Sequence, residues 1–292
     1  MNDPLSFWWL TLLLVGALIV GRVLAGLIWR FLRWVTPQTG RIATRSAQRL
    51  PGRQRLANAV SARFPRTSAW VAARFAIDRF TGLPLTLMVL LAGYLVSLGT
   101  DLAEDVIEGD QIVKMDHRIN IALAPWRNAD LLHVFAKITH LADIMTLLAV
   151  VLVATAFLWA HRRFRYIPGL MMAVIGSEAL TYTAKYAVDR ARPDFLTFAS
   201  AATPSFPSGH ATGALAIYGF IAYAIARDLR STAVRFELAY WSVVLIVLIA
   251  FSRLLLSVHF FSDVIAGLLV GGFWLLAGFA LTEYLNERSA RP

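Results

Sequence analysis

Cysteine is absent from all 292 residues, which excludes a disulfide framework, a thiolate metal site and a cysteine nucleophile. Charge is scarce as well. Only 16% of residues are Asp, Glu, Lys or Arg, and 58% are hydrophobic, whereas a soluble domain carries about 25% charged and roughly 45–50% apolar residues. So few charges cannot coat a soluble particle of this length, and the surplus apolar surface must face lipid. Acids are scarcer than bases, 18 against 28. The resulting charge of +10 is explained by basic loops beside membrane helices, so no nucleic-acid partner is expected.

Crossing a bilayer takes about 20 mostly apolar residues. Seven stretches qualify: Phe7–Trp29, Gly82–Leu98, Leu141–Trp159, Ile167–Ala184, His210–Ala226, Phe236–Phe251 and Phe260–Tyr284. The first is a poor signal peptide, because Arg22, Arg30 and Arg33 lie within or after its apolar run rather than before it. From Arg30 to Phe80 there are eleven arginines against one acid, Asp78. With seven spans, this segment falls on the same side as the clusters at Arg162, Arg163 and Arg165, at Arg227, Arg230 and Arg235, and in the tail at Arg288 and Arg291. That side is cytoplasmic by the positive-inside rule. Asp101, Glu104, Asp105, Glu108 and Asp110 fall on the other. The expected fold class is all-α, a polytopic membrane helix bundle in a bacterial inner membrane, with its N-terminus outside and its C-terminus cytoplasmic. Between Arg41 and Phe80, the arginines Arg53, Arg55, Arg63 and Arg66 interleave with Leu56, Val60, Phe64 and Trp70. This is the pattern of an amphipathic helix on an anionic membrane surface, or of a solvated charge run.

Three basic residues break the charge rule, because Lys185, Arg192 and Arg253 sit at outer span ends. Lys185 and Arg192 are seven apart, two helical turns, and therefore share a face, and Pro193 ends the element at Arg192, so one helix terminus is expected to present both cations to the same spot. The next span opens with Pro207, Ser208, Gly209 and His210. Ser208 is a good N-cap, Gly209 permits close approach to the backbone, and a helix N-terminus suits an anion. His259 and Asp263 are four apart, one turn of helix, so the carboxylate can hold one imidazole nitrogen and leave the other free. Taken singly, each feature has an ordinary structural explanation. Together they assemble cations, amide donors and two histidines on one side of the bilayer, which is equipment for phosphoryl transfer.

Lys185-x6-Arg192-Pro193, Pro207-Ser208-Gly209-His210 and Ser252-Arg253-x5-His259-x3-Asp263 resemble, in order and at every position, the three-part signature of the type 2 phosphatidic acid phosphatase superfamily. That superfamily includes membrane lipid phosphate phosphatases, soluble acid phosphatases and vanadium haloperoxidases. The resemblance implies that His259 is the nucleophile and forms a phosphohistidine, with Asp263 raising its reactivity. It implies that His210 protonates the leaving group and then activates water, and that Lys185, Arg192, Ser208, Gly209 and Arg253 hold phosphate oxygens. No cofactor and no metal are implied. The implied architecture is a six-helix phosphatase core over residues 82–285, preceded by an extra transmembrane helix and basic segment over 1–81 and followed by a cytoplasmic tail at 286–292.

Glu178 lies seven residues before Lys185 and about 10 Å deeper at 1.5 Å per residue, a candidate to support the basic cluster from below. His117, His133, His140 and Asp143 lie on the outer side at spacings that match no strong metal motif, and His161 sits among cytoplasmic arginines. Phe195, Phe198, Phe206, Phe260 and Phe261 surround the motifs and are candidates to line a lipid path. The expected substrate is a membrane lipid phosphate presented from the bilayer. Undecaprenyl diphosphate is favoured, with phosphatidylglycerophosphate, phosphatidic acid and lipid A phosphate open. A lipid phosphotransferase using the same phosphohistidine is the nearest alternative, and a transporter is disfavoured because the charges cluster at one face.

The topology is directly testable. Reporter fusions near Arg230 should read as cytoplasmic, and fusions near Glu108 or Thr197 as extracytoplasmic. A cytoplasmic signal at Thr197 would move the candidate site to the other side of the membrane.

Overall fold

Every regular element among the described residues is helical. A computed structural model describes residues 16, 18–31, 33, 62–77, 79–109, 111–194 and 203–290. By compactness the chain divides into two units, Met1–Thr86 and Leu87–Pro292. The first contains α1 (residues 18–31) and α2 (Pro65–Arg74). Pro65 starts α2, where its missing N–H is no loss, and the Arg74 guanidinium lies over the Trp70 ring at 5.3 Å. Most of the expected amphipathic stretch from Arg41, with Arg53, Arg55, Leu56 and Val60, lies outside the described residues, as does much of the expected span Phe7–Trp29.

Helix α3 (Leu83–Glu108) leads into the second unit. There follow α4 (Gln111–Leu123), α5 (Ala129–Thr139), α6 (Ile144–Ala160), α7 (Tyr166–Val188), α8 (Gly209–Ala226), α9 (Thr232–Leu255) and α10 (Phe261–Ser289). Hydropathy along the sequence counts seven spans. Among the described residues, α3, α8, α9 and α10 are individually long and apolar enough to cross a membrane, and Ala129–Ala142 with Ile144–Ala160 makes a fifth candidate bent by 46°. Helix α7 has the length, but Ser177, Glu178, Thr181 and Lys185 dilute its apolar character because that side turns inward; Ser177 and Thr181 are buried. The apolar side chains of α3 point outward instead, Leu90 being 65% exposed, as lipid-facing residues are. Helix α10 continues through Ser289, so most of the expected tail is an extension of the last helix.

The core is built where glycines let helices touch. Helices α7 and α10 cross at Gly169 and Gly278, where a Cβ on Gly278 would lie 2.6 Å from the Gly169 carbonyl oxygen. Phe220 of α8, fully buried, fills the space beside this crossing with Leu170 and Ala173. Helix α8 contains one π-helical turn, Ala214–Tyr218, just after His210. Such turns occur mostly as local bulges and often at functional sites.

Because a backbone oxygen cannot yield as a side chain can, Gly278→Ala should destabilise by about 1–3 kcal/mol through overpacking. At Gly272 the nearest atom to an added Cβ is Leu95 Cδ1 at 3.4 Å, so Gly272→Ala should be much milder. Thermal unfolding followed by circular dichroism in detergent checks this; equal midpoints for the two variants would contradict the crossing geometry.

Candidate active site

Chain turns at one end of the bundle build the site. Helix α7 stops at Val188 with Asp189 in the left-handed conformation, φ 46°, a common way to satisfy the last carbonyls. The expectation of one helix carrying Lys185 and Arg192 on a shared face is therefore corrected, since Arg192 lies beyond the helix end. It is returned to the site by pairing of residues 190–191 with Ser205, whose N–H donates to the Arg190 carbonyl (2.8 Å) and whose hydroxyl donates to that of Ala191 (3.0 Å).

The turn after α9 is built likewise. Ser257 is left-handed (φ 53°), and His259 N–H reaches back to the Arg253 carbonyl at 3.3 Å. Arg127 donates to the Leu255 (2.9 Å) and Leu254 (3.2 Å) carbonyls, placing a cation at the C-terminus of α9. His259 thus precedes α10, whereas Asp263 is in its first turn, so the two do not share one helix as their spacing suggests. Asp263 Oδ2 accepts the Phe260 N–H at 2.8 Å and lies 3.5 Å from His259 Nδ1. His259 Nδ1 makes no hydrogen bond of its own, so Asp263 stands at the outer limit of bonding distance in this state.

A cavity of about 280 Å³ opens among these ends, lined by Lys185, Arg192, Gly209, His210, Arg253 and His259, with Glu178 on its wall below Lys185. Lys185 donates to the Pro204 carbonyl at 2.6 Å. Arg192 donates to the carbonyls of Thr203 (2.9 Å), Val258 (2.8 Å) and Pro204 (3.4 Å). Arg253 donates to Thr139 Oγ1 at 2.6 Å, while its Nε is buried without a partner. Among the described residues none of these three cations is ion-paired. Buried like charges without a carboxylate are costly, and the cavity between them is where an anion would offset that cost.

Ser208 is corrected in one respect. It occupies the N-cap position of α8, but its hydroxyl caps nothing and is fully buried without a partner. Its N–H donates instead to the Asp263 carbonyl at 2.9 Å, joining the starts of α8 and α10. Phe206 and Phe260 are core residues, 3% and 8% exposed, rather than lining a lipid path. Phe195 and Phe198 lie outside the described residues.

The two histidines have distinct settings. Arg192 Nη1 lies 3.3 Å from His259 Nε2. A guanidinium only donates, so Nε2 presents its lone pair and the ring proton is on Nδ1, toward Asp263. Burial, opposed by Asp263 and reinforced by Arg253 and Arg192, pushes the His259 pKa down to about 3, so the ring is neutral at physiological pH. His210 Nε2 lies 2.9 Å from Asp143 Oδ1, whose other oxygen is 2.5 Å from His140 Nδ1.

Asp143 is a site residue that the sequence motifs do not flag. It lies 67 positions before His210, too far for any local spacing to show, and the bend between α5 and α6 brings it beside His210. Asp116 and Arg190 are two more, described below.

The residues matched by the model of the PAP2 superfamily are 166–287, from the start of α7 to the end of α10, with all three motifs inside. Phosphatidylglycerophosphatase B of Bacillus subtilis (strain 168) is 33% identical over 159 residues, covering 53% of this chain and 76% of that protein. The chain belongs to the PAP2 superfamily. The crystal structure of a transmembrane PAP2-type phosphatidylglycerolphosphate phosphatase from Bacillus subtilis shares its fold, with a TM-score of 0.59 at 30% identity, covering 68% of this chain and 98% of that one. This PAP2 protein is accordingly a multi-pass membrane enzyme, a lipid phosphatase.

If Asp143 orients His210, Asp143→Ala should lower turnover by about 10²-fold, the scale on which misplaced catalytic groups cost rate, with substrate affinity little changed. Asp143→Glu should recover part of it. Steady-state phosphate release decides; wild-type turnover in Asp143→Ala would reduce the contact to a structural one.

Proposed function

We propose that this enzyme hydrolyses a phospholipid phosphomonoester, phosphatidylglycerophosphate first among candidates, through a phosphohistidine at His259 on the extracytoplasmic face. The observation that carries the reading is the cavity, in which Lys185, Arg192 and Arg253, without carboxylate partners, surround a neutral His259 and an acid-bonded His210. The relatives named above make phosphatidylglycerophosphate the first substrate to test; undecaprenyl diphosphate, favoured by the sequence reading, is measured beside it.

In this reading His259 Nε2 attacks phosphorus, the phosphorus–oxygen bond to the lipid breaks, and the lipid oxygen takes a proton from His210. With Asp143 accepting from Nε2, protonated His210 gives up the proton on Nδ1 and becomes the base for the second step. Water then attacks the phosphohistidine, passes a proton to His210, and inorganic phosphate leaves. Lys185, Arg192, Arg253, the Ser208 hydroxyl and the Gly209 amide hold the phosphate oxygens as charge develops, and Glu178 supports the cations from below. These cations do the work a metal would otherwise do. On the other flank the cavity is walled by Ile144, Leu147, Leu148 and Val151 of α6 and Val174 of α7. Ile144 and Leu148 are more than half-exposed or close to it, 57% and 50%, so the cavity opens sideways to lipid. A lipid can present its phosphate without leaving the bilayer.

Phosphate release from purified lipids in detergent, with EDTA present, should be retained and should be inhibited by vanadate. His259→Ala should abolish it for every substrate. His210→Ala loses general acid–base help, typically worth about 10²–10⁴-fold, and should fail on lipid substrates. It should still be phosphorylated by an aryl phosphate, whose leaving group departs without a proton. Acid-labile, alkali-stable phosphate should then accumulate on His259 in rapid-quench labelling. Label on His210, or activity abolished by EDTA and restored by one divalent ion, would overturn this mechanism.

A further inference from the structure

Behind the cavity lies a second buried charge cluster that the chemistry above does not use. Arg190 Nη1 donates to Asp263 Oδ1 at 2.7 Å and to Ser262 Oγ at 2.7 Å. Its Nη2 donates to Asp116 Oδ2 at 2.8 Å, and its guanidinium lies 4.3 Å from the centre of the Phe260 ring. Asp116, on α4, in turn accepts the Ser262 N–H (2.9 Å) and the Ser262 hydroxyl (2.5 Å). Both carboxylates have fully buried side chains and that of Arg190 is 11% exposed. Neither Asp116 nor Arg190 lines the catalytic cavity.

The Arg190 guanidinium thereby ties the two carboxylates to one another. Asp263 Oδ1 is fixed by Arg190 and Oδ2 by the Phe260 amide, which leaves the remaining lone pair of Oδ2 for His259 Nδ1. The planar, forked guanidinium can hold two carboxylates at a set separation, as a lysine cannot. Burial of these charges costs free energy that a hydrophobic packing of the same volume would avoid, so mere attachment of α4 to the core does not require them.

We propose that Asp116 and Arg190 are positioning residues for the nucleophile. They lock the Asp263 carboxylate, which keeps the His259 proton on Nδ1 and directs the Nε2 lone pair at phosphorus. This assignment rests on the reading of His259 as the attacking group.

The test is a double-mutant cycle in the full-length enzyme in detergent, using Arg190→Gln, Asp263→Asn and their combination, with Asp116→Asn and Arg190→Lys beside them. Arg190→Gln and Asp116→Asn should each lower kcat by about 10–100-fold, as expected for a small displacement of a reacting group. KM and the vanadate inhibition constant should stay within about threefold. Arg190→Lys, which keeps the charge but not the fork, should not restore turnover. Because Arg190 acts only through Asp263, adding Arg190→Gln to Asp263→Asn should cause no further loss. Independent, multiplying losses would overturn the proposal, as would a fall in turnover that simply tracks a lowered thermal midpoint.

A second readout does not depend on turnover. The Nδ1 proton of His259, which faces Asp263 Oδ2 at 3.5 Å and is assigned by its disappearance in His259→Ala, should give an NMR resonance that shifts or vanishes in Arg190→Gln. An unmoved resonance sinks the positioning role even if activity falls. A resonance that moves in a protein whose wild type never labels His259 sinks the phosphohistidine mechanism and leaves the Asp116–Arg190–Asp263–His259 chain standing.

Discussion

Three cations share one small cavity, among the described residues none of them is ion-paired with a carboxylate, and much of the local structure exists to make that tolerable. Lys185 and Arg192 both donate to the Pro204 carbonyl, and Arg192 takes the Thr203 and Val258 carbonyls as well. Backbone carbonyls are neutral acceptors. They satisfy the N–H groups without cancelling the charge, so the positive potential survives for an incoming anion. A carboxylate in the same place would have stabilised the folded protein and competed with phosphate. Asp263 and Asp143 are held one layer back, the first by Arg190 and the second by two histidines, while Glu178 lies on the cavity wall below Lys185.

That layering depends on how closely the helices meet. Ser208 N–H reaches the Asp263 carbonyl because α8 and α10 cross at Gly267 and Gly271, where an added Cβ would lie 2.5 Å from the Ser208 oxygen and 2.6 Å from the Thr212 oxygen. Both helices begin at the cavity end of the bundle, so their positive dipole ends add to the field of the side-chain cations. The crossing is thus an electrostatic device as much as a packing one.

The parts of this arrangement that were legible in the sequence are those carried by short spacings and by residues out of place. Basic residues at span ends, a Pro-Ser-Gly-His start and a histidine near an aspartate all point to the cavity, and the structure gathers Lys185, Arg192, Gly209, His210, Arg253, His259 and Glu178 around it. Helical spacing misled wherever the chain reverses. Arg192 reaches the cavity through the left-handed turn at Asp189, and His259 through the one at Ser257, so periodicity found the right residues for a partly wrong geometric reason. Asp143, Arg190 and Asp116 were illegible because their partners lie 67, 73 and 146 positions away. Contacts of that length are decided by helix packing, which no local pattern records.

Arg192 binds both the cavity and the nucleophile, and this couples the two on the proposed chemistry. Its Nη1 sits 3.3 Å from His259 Nε2 and donates also to the Val258 carbonyl, so the guanidinium faces the lone pair that attacks on the proposed chemistry. A phosphate dianion is a stronger acceptor than a neutral imidazole, and charge-assisted hydrogen bonds are roughly twice as strong as neutral ones. On the proposed chemistry, phosphate oxygens therefore compete with Nε2 for Arg192. The same competition keeps His259 neutral beforehand, because a proton on Nε2 would face Arg192 directly. On that chemistry binding and activation are coupled through Arg192, acting as a phosphate ligand rather than a base.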